Sequence, residues 1–210
     1  MNSISVTWNG HSCFTIEKDG FSIIFDPYAP DSVPGLAPLS LTADLVLCSH
    51  EHSDHGFKEA VTLRQHSKEN PFSITKIDTW HDPEHGALRG PDRIHILESD
   101  GLKIVHMGDI GCPLTREQKD LLKHPDIIMI PIGGYYTIDA IQAKEMTDSL
   151  EPRVIIPMHY RSDTFGYPVI GRLEEFTSLC RNVTEHDSST MILTPETKPQ
   201  TAVLKPVSIL

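Results

Sequence analysis

The 210-residue sequence has little cysteine, few aromatics and a deficit of positive charge. Its four cysteines, Cys13, Cys48, Cys112 and Cys180, are scattered and form no C-x-x-C pair. That pattern argues against a disulfide framework and suits a reduced, cytoplasmic setting. Lys and Arg number 18 against 29 Asp and Glu, a formal charge of −11. No basic stripe is visible, so long nucleic acid is not an expected partner. No apolar run approaches the roughly 18 residues that a membrane span needs. The stretch from Met1 to Trp8 has neither the basic region nor the apolar core of a secretion signal. No G-x-S-x-G elbow occurs and no cysteine is placed like a nucleophile, so covalent catalysis has no visible carrier. Histidine is the exception to this sparseness, with 12 residues.

The pattern of apolar residues predicts strands over Ser3 to Trp8, Cys13 to Glu17 and Phe21 to Phe25, with Lys18-Asp19-Gly20 as a hairpin turn. A loop rich in Pro and Gly follows from Pro27 to Pro38. Further strands are expected at Asp44 to Cys48, Phe72 to Trp80, Arg93 to Glu98, Leu102 to Met107, Asp126 to Pro131 and Arg153 to Ile156. Phe57 to Gln65, Thr137 to Leu150 and Gly171 to Cys180 read as helices, and Thr115-x-x-Gln118 as a capping box. No low-complexity segment or linker divides the chain, so residues 1–210 are expected to form one domain. Two rounds of strands then helices suggest two sheets with helices on their outer faces.

The densest chemistry lies in Ser49-His50-Glu51-His52-Ser53-Asp54-His55, directly after the strand at Asp44 to Cys48. Neutral imidazole and carboxylate are ligands for zinc and similar dications. His50 and His52 are two apart and project to one side of an extended backbone. Asp54 and His55 follow as the chain turns, so one loop can serve two ions. His81, Asp109 and His159 each sit just past another predicted strand end, where loops on one sheet edge converge. A two-metal site needs a bridging anion, and Asp109 between glycines is the natural candidate.

Together these residues resemble the metallo-β-lactamase superfamily. The resemblance rests on the H-x-H-x-D-H box from His50 to His55, the Gly108-Asp109 step and the late His159. Supporting marks are Gly10-His11-Ser12-Cys13-Phe14, Phe25-Asp26-Pro27 and Pro157-Met158-His159-Tyr160. The chain is similar to the small metal-dependent hydrolase branch that includes L-ascorbate-6-phosphate lactonases and N-acyl-phosphatidylethanolamine phospholipases. The resemblance implies an α/β fold, a four-layer αββα sandwich of two mixed sheets flanked by helices. It implies one metal held by His50, His52 and His81, with His85 as the alternative third histidine. It implies a second metal held by Asp54, His55 and His159, with Asp109 bridging. Zinc is the expected ion, with Mn2+, Fe2+ or Ni2+ as alternatives. Flavodiiron relatives carry Glu where this chain has His52, which disfavours a diiron redox role.

The implied activity is hydrolysis of a small ester, lactone, amide or phosphoester by a metal-bridged hydroxide, with Asp54 orienting the nucleophile and passing a proton. A phosphodiesterase or nuclease of the same superfamily, or a metal-binding interaction module without turnover, are the competing readings. A homo-oligomer is left open. Asp26 and His11 are candidates to fix the ligand imidazoles. His106 is read as structural or as supporting the ligands. His66, His95, His124 and His186 are read as ordinary surface or core histidines, and Cys112 as a structural thiol. Gly133-Gly134-Tyr135-Tyr136 is a candidate pocket wall, and Tyr160 and Arg161 either reach an anionic substrate or sit in a solvated loop. Asp82, Glu84, Arg89 and Asp92 read as a solvated charged loop.

Overall fold

A computed structural model of the chain describes residues 3–65, 68–207 and 209. The first strands, β1 (Ile4–Gly10), β2 (Cys13–Lys18) and β3 (Phe21–Phe25), form an antiparallel meander. The β2–β3 turn is the residue pair Asp19 and Gly20, both at positive φ (53° and 78°). This is the geometry that matches the twist of the flanking strands and that Asp-Gly favours. Strands β4 (Leu41–Ala43), β5 (Leu45–Leu47) and β6 (Val61–Leu63) follow, and β5 pairs parallel with β3. Next come β7 (Ser73–Trp80), β8 (Pro91–Ser99) and β9 (Leu102–His106), with a second Asp-Gly turn at Asp100 and Gly101. Helix α1 (Arg116–Leu122), β10 (Ile127–Pro131), α2 (Ala140–Leu150), β11 (Val154–Met158) and α3 (Leu173–Thr177) complete the middle of the chain. The tail supplies β12 (Val183–Glu185), β13 (Thr190–Leu193) and β14 (Gln200–Val203).

Two mixed sheets result, ordered β13-β1-β2-β3-β5 and β12-β14-β11-β10-β9-β8-β7, with a separate β4-β6 ribbon. Strands β9, β10 and β11 are parallel neighbours joined through α1 and α2. Successive right-handed crossovers in one direction put both helices on the same face of the sheet. All five residues of β10 are buried, as expected of a strand covered on both faces. Both sheets contribute to one continuous apolar core, from Ile4, Trp8 and Phe14 to Ile104, Met129 and Ile156.

Two predicted helices differ from the structure. Phe57 to Gln65 forms only a 3-10 turn at Lys58–Ala60 and then strand β6. No side chain caps that turn, and Val61 and Thr62, both β-branched, instead pair with Leu41 and Thr42. The helix expected over Gly171 to Cys180 is shorter, Leu173–Thr177, because Arg172 before it is in extended backbone (φ −92°, ψ 159°). The capping box at Thr115 and Gln118 is present, and a second one starts α2 with Asp139 and Gln142. Among the described residues no helix is long and apolar enough to cross a membrane.

The strand directions decide where the chemistry gathers. Strand β8 is antiparallel to both β7 and β9, so β7 runs with β9, β10 and β11. The C-terminal ends of β7, β9 and β11 therefore open on one edge, and these ends carry His81, Asp109 and His159.

Candidate metal centre

Asp109 stands at the middle of the cluster. Its Oδ2 lies 3.1 Å from His55 Nε2, 3.2 Å from His159 Nε2 and 3.4 Å from His81 Nε2. One carboxylate oxygen thus faces imidazoles from three separate strand ends. The donor atoms of His50, His52 and His81 lie within 4.8 Å of one another, as do those of His11, Asp54, His55 and His159. His50, His55 and Asp109 form a third such group that links the two. The structure therefore brings together all seven ligand candidates. It also adds His11, which was expected only to support them, with Nε2 3.4 Å from Asp54 Oδ2.

The far side of three imidazoles is held by the protein. His55 Nδ1 lies 2.8 Å from Asp26 Oδ2, and His81 Nδ1 lies 3.1 Å from the Tyr136 carbonyl. His50 Nδ1 lies 2.9 Å from Ser49 Oγ and 3.3 Å from Asp92 Oδ1. An acceptor at Nδ1 fixes the proton there and leaves Nε2 with its lone pair for the centre. Asp26 also accepts from the Ser49 amide and hydroxyl, at 2.7 and 2.6 Å. Asp26, His11 and His159 all adopt positive φ, 44°, 52° and 53°. That conformation is uncommon for residues other than glycine and clusters at functional sites.

Buried nitrogens without hydrogen-bond partners mark the interior of the cluster. They are both ring nitrogens of His11 and His159 and the Nε2 atoms of His50 and His55, and Asp109 Oδ1 joins them. Polar atoms buried unpaired are costly, and a divalent cation satisfies several at once. The donor set of imidazoles and carboxylates fits zinc and related dications.

The electrostatics agree with a cation-seeking site. Burial opposes charge on Asp109, yet His159 and His55 outweigh it and hold the carboxyl far below its usual range. Burial likewise opposes charge on His55, but Asp109, Asp54 and Asp26 draw its proton affinity well up. Burial and the neighbouring His159 push His11 down to about 4. Asp26 is held at about 2, because His106 and His55 outweigh its burial.

Other candidates fall outside the donor groups. His85 is exposed, and its ring stands edge-on to Trp80 at 6.3 Å. His106 stacks on Phe25 at 4.9 Å and contacts the Ser12 carbonyl at 2.9 Å, a structural role. Cys112 is a buried thiol 3.4 Å from Thr79 Oγ1. His95 is buried, whereas His124 pairs with Glu151 and His186 with Gln200. His66 lies outside the described residues. Tyr160 is packed against Trp8, and Arg161 donates to the Ile170 carbonyl.

Two residues of the loop read as solvated are buried. Asp92 supports His50 and accepts from the Asp109 amide at 3.1 Å. Asp82 accepts from the amides of Glu84, Gly86, Leu88 and Arg89, and so ties the whole loop after His81. Tyr167 was not foreseen, and its Oη sits 3.2 Å from Asp54 Oδ2 and 2.7 Å from the Ser32 carbonyl.

Above the cluster opens a cavity of about 360 Å³, walled by Ser53, Arg89, Tyr136 and Tyr167 over His52, Asp54, His81 and Asp109. Tyr136 thus belongs to the pocket, whereas Tyr135 is exposed.

Residues 5–159 match the family described as the Beta-lactamase superfamily domain. The UPF0173 metal-dependent hydrolase Ta0764 of Thermoplasma acidophilum is 28% identical over 193 residues, covering 77% of this chain and 85% of that protein. A Thermotoga maritima crystal structure, assigned as a Zn-dependent hydrolase of the metallo-β-lactamase superfamily, is 30% identical with a TM-score of 0.72. It covers 96% of this chain and 97% of its own. A metallo hydrolase from Ignicoccus hospitalis is 23% identical with a TM-score of 0.67, covers 92% of this chain and 99% of its own, and speaks to the fold. The ordered box, the convergent strand ends and these matches lead to one statement: the chain belongs to the metallo-β-lactamase superfamily.

Proposed function

We propose that residues 1–210 act as one hydrolase domain that uses two divalent cations, zinc first among them, on a small ester, lactone, amide or phosphoester. The observation that carries this reading is Asp109 Oδ2 facing three imidazole nitrogens at the floor of an open cavity. In this reading His50, His52 and His81 would hold one ion and Asp54, His55 and His159 the other, with the Asp109 carboxylate available to both. When bound, such ions supply Lewis acidity and a water that ionises near neutral pH. The protein's own groups do the rest. Asp26, Ser49, Asp92 and the Tyr136 carbonyl keep three imidazoles in the ligating tautomer. Asp54 orients the attacking water and moves a proton toward the leaving group, with Tyr167 Oη positioning its carboxylate. The net charge of −11 supports a small substrate over long nucleic acid. Four free cysteines support a reducing, cytoplasmic setting.

Elemental analysis of the zinc-loaded protein and its His55→Ala variant tests the reading. Two equivalents are expected in the parent and one in the variant, with turnover of simple esters and phosphoesters lost and the circular dichroism spectrum retained. Unchanged stoichiometry would remove His55 from the site.

A further inference from the structure

Resting on the hydrolase reading, we infer that Arg89 recognises a second, non-reacting oxyanion on the substrate, so that the natural substrates are anionic. The chemical class is a small ester, lactone or phosphoester that also carries a carboxylate or phosphate.

Among the described residues Arg89 is the one Lys or Arg on the wall of the cavity over the candidate ligands. It has no carboxylate partner among the described residues, although Asp and Glu outnumber Lys and Arg 29 to 18. Arg64, Arg93, Arg153 and Arg172 each pair with an aspartate, at Asp44, Asp78, Asp126 and Asp163, and of the arginines without such a pair Arg89 is the one that lines this cavity. Arg89 instead donates one N–H to the Tyr135 carbonyl at 2.8 Å and lies 5.6 Å from the centre of the Tyr136 ring. A guanidinium offers five N–H donors, so most of its fork is left for an oxyanion.

The arginine is also held in place. Its amide donates to Asp82 Oδ2 at 2.8 Å, and Asp82 directly follows the ligand candidate His81. The turn that receives the guanidinium is itself fastened to His81, through the Tyr136 carbonyl. Cation and candidate ligand are therefore fixed to each other from both sides. A second cavity of about 370 Å³ shares His52 and Arg89 with the first. Arg89 thus borders both spaces, where an anionic arm would extend from a reacting group seated over the ligands.

Two probes differing only in charge test this: the nitrophenyl monoester of glutarate and the nitrophenyl ester of isoheptanoate, its neutral isostere. In the zinc-loaded protein, Arg89→Ala is expected to lower the charged-to-neutral ratio of kcat/KM by about 10- to 100-fold, the range of a charge-assisted hydrogen bond. Arg89→Lys recovers part of that loss, because it keeps charge without the fork. Calorimetric titration with glutarate itself gives a readout without turnover, and about tenfold weaker binding is expected in Arg89→Ala. An unchanged ratio together with unchanged glutarate affinity overturns the role of Arg89. If neither ester is hydrolysed by the parent, the ester substrate class falls, while the glutarate titration still decides whether Arg89 binds the anion.

Discussion

Asp26→Asn isolates the effect of one buried oxygen. Asp26 Oδ1 accepts from the Ser49 amide, while Oδ2 accepts from the Ser49 hydroxyl and faces His55 Nδ1. An asparagine that keeps the first bond must point its NH2 at the other two partners. The Ser49 hydroxyl can rotate to accept, but His55 Nδ1 must then become an acceptor as well. That moves the ring proton to Nε2, the atom that faces Asp109. The lone pair offered to a metal is lost unless the tautomer is restored at the expense of two opposed donors. Loss of such supporting contacts typically weakens metal binding about 10- to 100-fold, or about 1.4 to 2.7 kcal/mol. Backbone strain does not confound the variant, because Asn tolerates the positive φ of 44° as readily as Asp does. Competitive zinc titration of parent and variant is the assay. Of the two proposed sites one is expected to weaken, while the other, proposed for His50, His52 and His81, keeps its affinity. Unchanged affinity at both sites would refute the tautomer argument.

Exchange of the two candidate third histidines separates them directly: His81→Ala should lower zinc content, and His85→Ala should leave it unchanged, with the reverse result reassigning the ligand. Acid sensitivity should trace in part to His95, whose burial lowers it from 6.5 to about 4. Between those values the unfolded chain binds the extra proton, so stability is full above pH 6.5 and falls toward about pH 4. The limit for this one group is on the order of 3 kcal/mol. Urea denaturation of metal-free His95→Leu across that window should show a flatter profile than the parent, and an equal slope would exclude His95.

Much of this site was legible because its signals are local. The His50-to-His55 box is contiguous, and Asp-Gly turns announce hairpins through two adjacent residues. The ends of the apolar runs before His81, Asp109 and His159 mark strand termini. The rest depends on burial, which a single sequence does not display. Asp82 and Asp92 look like solvated charges until the amides and imidazole they accept from are brought near. Tyr167 meets Asp54 across 113 residues of chain, so no spacing announces the pair. His11 enters the donor group only because the β1–β2 turn folds over the edge where β11 ends. The missing helix after Phe57 failed for a different reason. Its β-branched residues found a strand partner in β4, and pairing prevailed over apolar periodicity.

The placement of β13 beside β1 has a consequence for how the chain is made. Ile4 to Thr7 pair with Thr190 to Leu193, and the Trp8 amide donates to the Ser189 carbonyl at 2.8 Å. The β1–β2–β3 meander thus keeps one hydrogen-bonding edge open until the chain has been made as far as Thr190, which lies 183 positions after its partner Thr7. Such an edge invites pairing with another nascent chain, and contacts of this sequence separation form slowly. Truncation before Thr190 would therefore leave the outer edge of β1 without its partner. Strand β13 thus covers the outer edge of β1, and solubility of forms shortened to before Thr190 should collapse sharply at that position.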